Sequence, residues 1–238
     1  MGRDRMLVTC EHAGHRVPRA YAPLFRTAEA KRALESHRGY DIGARSLARR
    51  LARALDADLV DTTVSRLVID LNRSRHHRHL FSEFTRTLDR DARERIVELY
   101  YRPPRRRIEA AIGALVAQSQ RVVHIGVHTF TPVLHGARRR ADAALLYDPA
   151  RRAERSCSRD LRAALRRLMP ALLIRFNYPY RGAADGLTTA LRRQFPPSAY
   201  LGIELEVNQR HLTPNAATRA TVMRAVVEGF RRWHDDRR

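Results

Sequence analysis

Short apolar runs that break off into polar residues are the main pattern of this chain. The first, residues 6–10, has the length and β-branched content of a buried strand, and Gly14 and Pro18 prevent its continuation. Glu11 and His12 follow it directly. Because ligands of open α/β sheets bind beyond the carboxyl ends of the strands, His12 is expected at a binding edge.

Two later runs end in the same manner. Residues 66–71 read as a short strand followed by Asn72 and Arg73. Residues 121–128 alternate small or apolar positions and end at His128, with Pro132 closing the segment. A histidine at the end of two separate runs, His12 and His128, is stronger evidence of a site than either histidine alone. A single histidine near a strand end commonly serves only as a hydrogen-bonding residue.

The last run, residues 201–207, alternates strictly between apolar and other residues. A strand with this pattern places Glu204 and Glu206 on one face and its large aliphatic residues on the other. Two acids on one face of an apolar strand either lie at a solvent-exposed edge or stand near a cation.

Helices are predicted between the strands. Asp41 is expected in the first turn of the second helix, where an acid commonly serves as a cap. Pro103 and Pro104 predict a break between the third and fourth helices. The six segments with helical spacing are residues 28–34, 41–55, 89–101, 105–117, 154–169 and a C-terminal segment opened by Thr213 and Pro214.

Strands and helices alternate along the whole chain, with no internal repeat or low-complexity linker. Further strands are expected at residues 58–64, 143–147 and 171–176. The simplest architecture is a single three-layer α/β domain spanning residues 1–238, with the sheet between two layers of helices.

Composition narrows the class of protein. The 238 residues are 44% apolar and carry a formal net charge of +21. The arginines are scattered over every helical segment, so nucleic-acid binding is not the expected role. Cys10 and Cys157 are too few for a disulfide framework. With no long apolar run and no signal-like N-terminus, a cytoplasmic protein without a membrane partner is expected.

The polar residues at the strand ends form a recognisable chemical set. Two histidines, a carboxylate and a further free carboxylate are the groups of a catalytic zinc site. An arginine beside an asparagine, as at Arg73 and Asn72, suits bidentate binding of a substrate carboxylate. A serine nucleophile is a poorer fit because no G-x-S-x-G motif is present.

Five spaced motifs resemble those of the N-formylglutamate amidohydrolase family, in the same order, from about Leu7 to about Gln209. They are Glu11-His-Ala-Gly14, Ser65-Arg-Leu-Val-Ile-Asp-Leu-Asn-Arg73, Val127-His-Thr-Phe130, Asn177-Tyr-Pro-Tyr-Arg-Gly182 and Gly202-Ile-Glu-Leu-Glu-Val-Asn-Gln209. Parts of the second and fifth motifs are more distantly similar to aspartoacylase and the zinc carboxypeptidases. The resemblance implies a phosphorylase/hydrolase-like, zinc-peptidase-like αβα fold with a central mixed sheet.

The resemblance also implies an activity: metal-dependent hydrolysis of the amide bond of a small anionic N-acyl amino acid such as N-formylglutamate. The implied cofactor is Zn²⁺ or another divalent metal. An amidase or peptidase acting on a different acyl amino acid or a cell-wall fragment is the alternative within this chemistry. A basic protein that binds nucleic acid or another polyanion is the alternative from another class.

Carried over by position, the resemblance implies roles for individual residues. His12 and His128 match the two histidine ligands of the metal. Glu206 matches the general base, and Asn72 with Arg73 the pair that binds the substrate carboxylate.

The third metal ligand is open. Asp41 is preferred, because an acid in a corresponding helix recurs in the family, and Glu11 and His15 are the alternatives. Arg181 lies in the motif of a pocket loop and is a candidate contact for an anionic substrate, or else an ion-pair partner of Asp185.

Overall fold

A mixed six-stranded sheet forms the centre of the protein, seen in a computed structural model that describes residues 4–118, 120–213 and 217–237. A separate two-stranded hairpin follows the third strand. The strands in chain order are β1 (Arg5–Cys10), β2 (Asp58–Asp61), β3 (Val122–Phe130), β4 (Val133–Leu134), β5 (Ala137–Arg138), β6 (Ala143–Leu146), β7 (Ile174–Phe176) and β8 (Tyr200–Asn208).

The sheet has the order β2-β1-β3-β8-β6-β7. The first four strands in this order run parallel, β6 is antiparallel to β8, and β7 is parallel to β6. The two longest strands, β3 and β8, are central and pair over their full length of nine residues. The strands from the two ends of the chain, β1 and β8, therefore lie on either side of β3.

Seven α-helices belong to the described residues, and most of them pack against the sheet. They are α1 (Ala28–Glu35), α2 (Ala44–Ala54), α3 (Arg90–Ile96), α4 (Arg102–Ala117), α5 (Arg152–Leu168), α6 (Leu187–Gln194) and α7 (Arg219–Asp235). The predicted start of the last helix at Thr213 and Pro214 is wrong, because α7 begins only at Arg219; Pro214 itself lies outside the described residues.

The alternation along β1 sorts its side chains into two layers of core. Met6, Val8 and Cys10 pack with α2, α5 and α7, whereas Leu7 packs with α4 and α6 on the opposite face. The predicted arrangement of a sheet between two helical layers is therefore confirmed. By the same period of two, the polar side chains of β3 and β8 that matter below lie on the α4 and α6 side.

The predicted strand at residues 66–71 is wrong. The backbone turns there, with Val68 N donating to Ser65 O at 2.9 Å. Its apolar residues are buried, but against α1 and the end of α3 in a separate core cluster. A short apolar run is compatible with either a strand or a buried turn, and packing decides between them.

The predicted break at Pro103 and Pro104 is also wrong. The helix continues from α3 through a π-helical turn, Val97–Tyr101, directly into α4. Arg102 N donates to Val97 O, so the chain takes a wider turn just before the two residues that lack an N–H donor. The prolines then stand in the first positions of α4, where they are tolerated.

Among the described residues, no helix combines the length and apolarity that a membrane crossing requires.

Candidate active site

The two histidines singled out in the sequence meet on one face of the sheet. His12 lies two residues beyond the end of β1, and His128 lies within β3, although the sequence predicted it at the strand end. Their ring centroids are 5.3 Å apart, and the rings are edge to face. Both side chains are buried. Two residues far apart along the chain therefore face each other because β1 and β3 are neighbours.

Asp41 joins the two histidines. It lies in the loop before α2, three residues ahead of the helix and not in its first turn as predicted. Its backbone N donates to His12 O at 3.0 Å, which ties the two segments together. Its Oδ2 lies 3.0 Å from His128 Nδ1 and 3.5 Å from His12 Nδ1. Candidate ligand atoms of these three residues all lie within 4.8 Å of one another.

Each imidazole has a second carboxylate on its other nitrogen. His12 Nε2 lies 2.7 Å from Asp70 Oδ1, and His128 Nε2 lies 3.0 Å from Glu11 Oε2. The two Nδ1 atoms are thereby left on the side of Asp41. Within the described part of the chain, His12 Nδ1 is buried without a hydrogen bond.

This donor set fits a divalent cation. Two imidazole nitrogens and one carboxylate oxygen are the usual protein ligands of a catalytic zinc ion, and they leave a coordination position open. The buried Nδ1 of His12, which makes no hydrogen bond in the described residues, is such a donor. Carboxylates on the outer nitrogens fix the orientation of ligating histidines in many metal sites.

The other two candidates for a third ligand lie elsewhere. Glu11 is buried behind His128 and does not line the pocket. His15 is exposed, and the centre of its ring lies 4.7 Å from that of Tyr40, with the rings tilted by 40°. Of the three candidates, Asp41 is the one whose carboxylate lies between the two imidazoles.

The electrostatics of the three residues favour charged forms. Burial disfavours the cation of His128, but contacts with Asp41 and Glu11 outweigh it and raise the pKa well above the ordinary value. Burial likewise opposes ionisation of Asp41, yet His12 and His128 hold its pKa below the ordinary value. The two imidazoles are thus bordered by carboxylates, and such a setting also favours a bound cation.

Glu206 lies in the same pocket. It is paired in register with His128 on the neighbouring strand, and its side chain is buried. Burial raises its pKa to about 8, and the negative charges of Asp41 and Glu204 add to the effect. Its Oε2 has no hydrogen-bond partner among the described residues. Glu204, by contrast, accepts a hydrogen bond from Thr188 Oγ1 at 2.8 Å.

Asn72, Arg73 and Arg181 also line the pocket. Asn72 Oδ1 accepts from the backbone N of Leu187 at 2.8 Å, so the NH₂ end of this amide remains free to donate to a ligand. Arg73 Nη1 donates to Asp185 O at 3.1 Å. The carboxylate of Asp185 accepts from Ser74 N.

Two residues inside the second motif were not singled out from the sequence. Arg66 lines the pocket, with Nη2 2.9 Å from Asp70 Oδ2 and Nη1 3.4 Å from Asp41 Oδ1. Asp70 is the buried partner of His12. In the predicted strand these two side chains would lie about 13 Å apart along one face, whereas the turn brings them into an ion pair.

The pocket as a whole has a volume of about 350 Å³ and is open to solvent on one side. Its lining combines His12, Asp41, His128 and Glu206 with the three arginines Arg66, Arg73 and Arg181. Its size and polarity suit a small anionic molecule.

Comparison with solved structures finds proteins of similar fold. A gene product of Agrobacterium tumefaciens superposes with a TM-score of 0.81 at 27% identity, covering 98% of this chain and 91% of that chain. N-formylglutamate amidohydrolase from Ralstonia eutropha superposes with a TM-score of 0.70 at 19% identity, covering 99% and 95%. A metallo-carboxypeptidase from Burkholderia cenocepacia aligns at 14% identity with a TM-score of 0.43, covering 99% and 58%.

A search of curated proteins gave no significant match. The family model for N-formylglutamate amidohydrolase, however, matches residues 4–213, which is most of the chain and includes all five motifs. The resemblance read from those motifs is confirmed, and the chain belongs to the N-formylglutamate amidohydrolase family.

Proposed function

We propose that this protein hydrolyses the amide bond of a small N-acyl amino acid, with N-formylglutamate as the first substrate to test. The observation that carries the proposal is the placement of Glu206 in one pocket with His12, Asp41 and His128. Membership of the family supports the same chemistry. A single domain over residues 1–238 and a cytoplasmic location stay predictions.

His12, Asp41 and His128 would hold the metal, for which zinc is the expected ion. When bound, such an ion acidifies a water molecule and polarises the carbonyl group of the substrate. The protein would orient the site through the outer carboxylates, because Asp70 and Glu11 occupy the Nε2 side of the two histidines.

Glu206 would move the proton. Its carboxylate accepts a proton from the attacking water and returns it to the nitrogen of the leaving amine. A cation held by the neighbouring residues favours the ionised form of Glu206, which is the form that accepts the proton. The unpartnered Oε2, in the part of the chain that is described, is available for this exchange.

Arg66 would stabilise the negative charge that develops on the acyl oxygen. Its guanidinium lies at the wall of the pocket between Asp41 and Asp70, which hold it by ion pairs. A donor fixed before the reaction begins stabilises such charge more than a mobile one, because it needs no reorganisation.

Asn72, Arg73 and Arg181, which also line the pocket, would bind the carboxylate groups of the substrate. The amide of Asn72 is oriented by helix α6, and the guanidinium of Arg73 by the carbonyl of Asp185. These residues supply orientation, which keeps the amide bond beside the reacting groups.

The test combines elemental analysis of the purified protein with a panel of N-formyl and N-acetyl amino acids, followed by release of free amine. We expect a stoichiometric divalent metal and hydrolysis of acidic N-acyl amino acids. Absence of both metal and hydrolysis would overturn the proposal. Hydrolysis of other amides only would favour the alternative, an amidase or peptidase acting on a different acyl amino acid or a cell-wall fragment.

The role of Glu206 is tested by Glu206→Gln, with Glu35→Gln at an exposed helix position as the matched control. Glu206→Gln should retain the metal and lose turnover by orders of magnitude, whereas Glu35→Gln should behave as the unaltered protein. Full activity of Glu206→Gln would remove this residue from the role.

A further inference from the structure

Two side chains of the helical segment at residues 90–117 hold the backbone next to Asn72. Tyr101 Oη donates to Arg73 O at 2.8 Å. Arg105 Nη1 lies 3.0 Å from Leu71 O and 2.9 Å from Arg73 O, and it donates to these carbonyl groups. The loop at residues 71–73 is thus held from behind, on the side away from the pocket.

Arg105 is an unusual residue for this position. Its side chain is buried, and no carboxylate forms an ion pair with it in the part of the chain that is described. Its guanidinium lies 5.0 Å from the centre of the Tyr101 ring and 2.9 Å from the Tyr101 hydroxyl. Burial of a charge without a counter-ion costs free energy. Hydrogen bonds from the guanidinium to the carbonyl groups of Leu71 and Arg73 offset that cost only while the loop keeps its position.

The π-helical turn explains how both side chains reach the loop. Tyr101 is the last residue of that turn, and Arg105 follows it by four residues in α4. Side chains four residues apart lie on the same face of a helix. The wider turn before Pro103 and Pro104 sets the direction of that face. The two prolines, which were expected to break the helix, therefore accompany a turn that directs Tyr101 and Arg105 toward the loop.

The front of the same loop is held by the segment that leads into α6. Leu187 N donates to Asn72 Oδ1, and Arg73 Nη1 donates to Asp185 O. These contacts act on the side chains, whereas Tyr101 and Arg105 act on the backbone carbonyl groups. The position of the Arg73 guanidinium is therefore determined from both sides.

We propose that Tyr101 and Arg105 are positioning residues that determine the affinity of the pocket for the carboxylate of its substrate. The inference rests on the proposed function, because it takes Asn72 and Arg73 as the groups that bind this carboxylate. Neither Tyr101 nor Arg105 lines the pocket, so their effect is exerted through the loop.

The experiment compares Arg105→Met and Tyr101→Phe with Arg106→Met, which alters an exposed neighbour on the same helix. Two kinds of measurement are made. The first is amide hydrogen exchange of residues 70–75, and the second is steady-state kinetics, which gives KM and kcat for the best substrate of the panel. The amides of Asn72 and Ser74 donate to Asp70 and Asp185, so their exchange reports on the loop without any ligand.

In Arg105→Met we expect the amide hydrogens of residues 70–75 to exchange at least tenfold faster. We expect KM to rise about tenfold and kcat to change less than threefold. Tyr101→Phe should show the same pattern more weakly, because it removes one hydrogen bond and keeps the ring. Arg105→Lys should recover part of the affinity. The metal content should stay unchanged in all of them.

Unchanged exchange and unchanged KM in a folded Arg105→Met would overturn the proposal, as would an equal effect of Arg106→Met. If Arg105→Met does not fold, Tyr101→Phe decides by the same two measurements. If the unaltered protein hydrolyses no member of the panel, the proposed function fails, while the exchange measurement still decides whether the pair positions the loop.

Discussion

His12 Nε2 lies 2.7 Å from Asp70 Oδ1, with both side chains buried. This contact assigns one nitrogen of the imidazole to the carboxylate and leaves Nδ1 directed at Asp41. The orientation of the first candidate ligand is therefore determined by a residue that does not need to touch the metal.

Replacing Asp70 tests this dependence. Asp70→Asn should lower the affinity for zinc by about 10-fold to 100-fold, the usual effect of losing such an outer partner. It should also lower activity at limiting metal, because the imidazole loses its preferred tautomer. Competition with a chelator of known affinity measures the loss.

Asp61→Asn is the control for the Asp70 change, because Asp61 pairs with Arg45 at the end of β2, away from the pocket. Its metal affinity should equal that of the unaltered protein. Equal affinities in Asp70→Asn and Asp61→Asn would show that the carboxylate is not needed to orient His12.

Metal affinity should rise with pH. Contacts with Asp41 and Glu11 raise the pKa of His128 well above its ordinary value, so the metal-free protein holds a proton there at neutral pH. A cation must displace this proton, and release of one proton corresponds to about a tenfold gain in affinity per pH unit. Chelator competition at pH 6, 7 and 8 measures the slope.

Calorimetry in two buffers of different ionisation enthalpy counts the protons released on metal binding. A binding enthalpy that is the same in both buffers, together with an affinity independent of pH, would contradict the expectation.

The metal-free protein should lose stability as the pH rises. The pKa of Glu206 is about 8 in the folded protein against an ordinary 4.5, so the folded state keeps a proton that the unfolded chain has released. The free energy of unfolding therefore falls through this window, by at most a few kcal/mol. Glu206→Gln cannot lose that proton and should remain stable.

Thermal unfolding of both metal-free proteins at pH 5 and pH 8 measures this difference. Glu206→Gln should unfold at a higher temperature than the unaltered protein at pH 8, and the gap should shrink at pH 5. A gap that is equal at both values would show that ionisation of Glu206 does not destabilise the fold.

Gly186 gives a test of the substrate end of the pocket. A Cβ at this position would lie 2.9 Å from Asn72 Oδ1, closer than such contacts allow, so Gly186→Ala should displace the amide. We expect KM for acidic N-acyl amino acids to rise about tenfold with little change in kcat. Steady-state kinetics across the substrate panel measures the split.

Gly113→Ala is the matched control, because a Cβ built at this position in α4 would meet no atom within 4 Å apart from its neighbours and the backbone of its own helix. It should leave KM unchanged and stabilise the helix by up to about 1 kcal/mol. A kinetic effect of Gly186→Ala no larger than that of Gly113→Ala would remove Asn72 from substrate binding.

The regular parts of the fold could be predicted because a period of two is a direct consequence of strand geometry. The alternation in β8 placed Glu204 and Glu206 on one face, and both line the pocket. The abrupt end of the first apolar run likewise located His12 just beyond β1. Such signals are local, so a single sequence contains them.

The parts that could not be predicted depend on packing between distant segments. Residues 66–71 have the composition of a strand, but a separate core cluster buries them in a turn. Helix α6 gave no signal that we recognised, although its first residue orients Asn72. The partner of His12 was hidden for the same reason, since only the turn brings Asp70 to the imidazole.

The central position of β3 constrains the order in which the sheet can be assembled during synthesis. Its two neighbours, β1 and β8, come from opposite ends of the chain, and β8 carries Glu206. A nascent chain on the ribosome that has not yet exposed β8 lacks Glu206 and leaves one edge of β3 uncovered. The pocket is therefore completed late in translation, and chains truncated before residue 200 should lack hydrolase activity, if the proposed function holds, and be prone to aggregate.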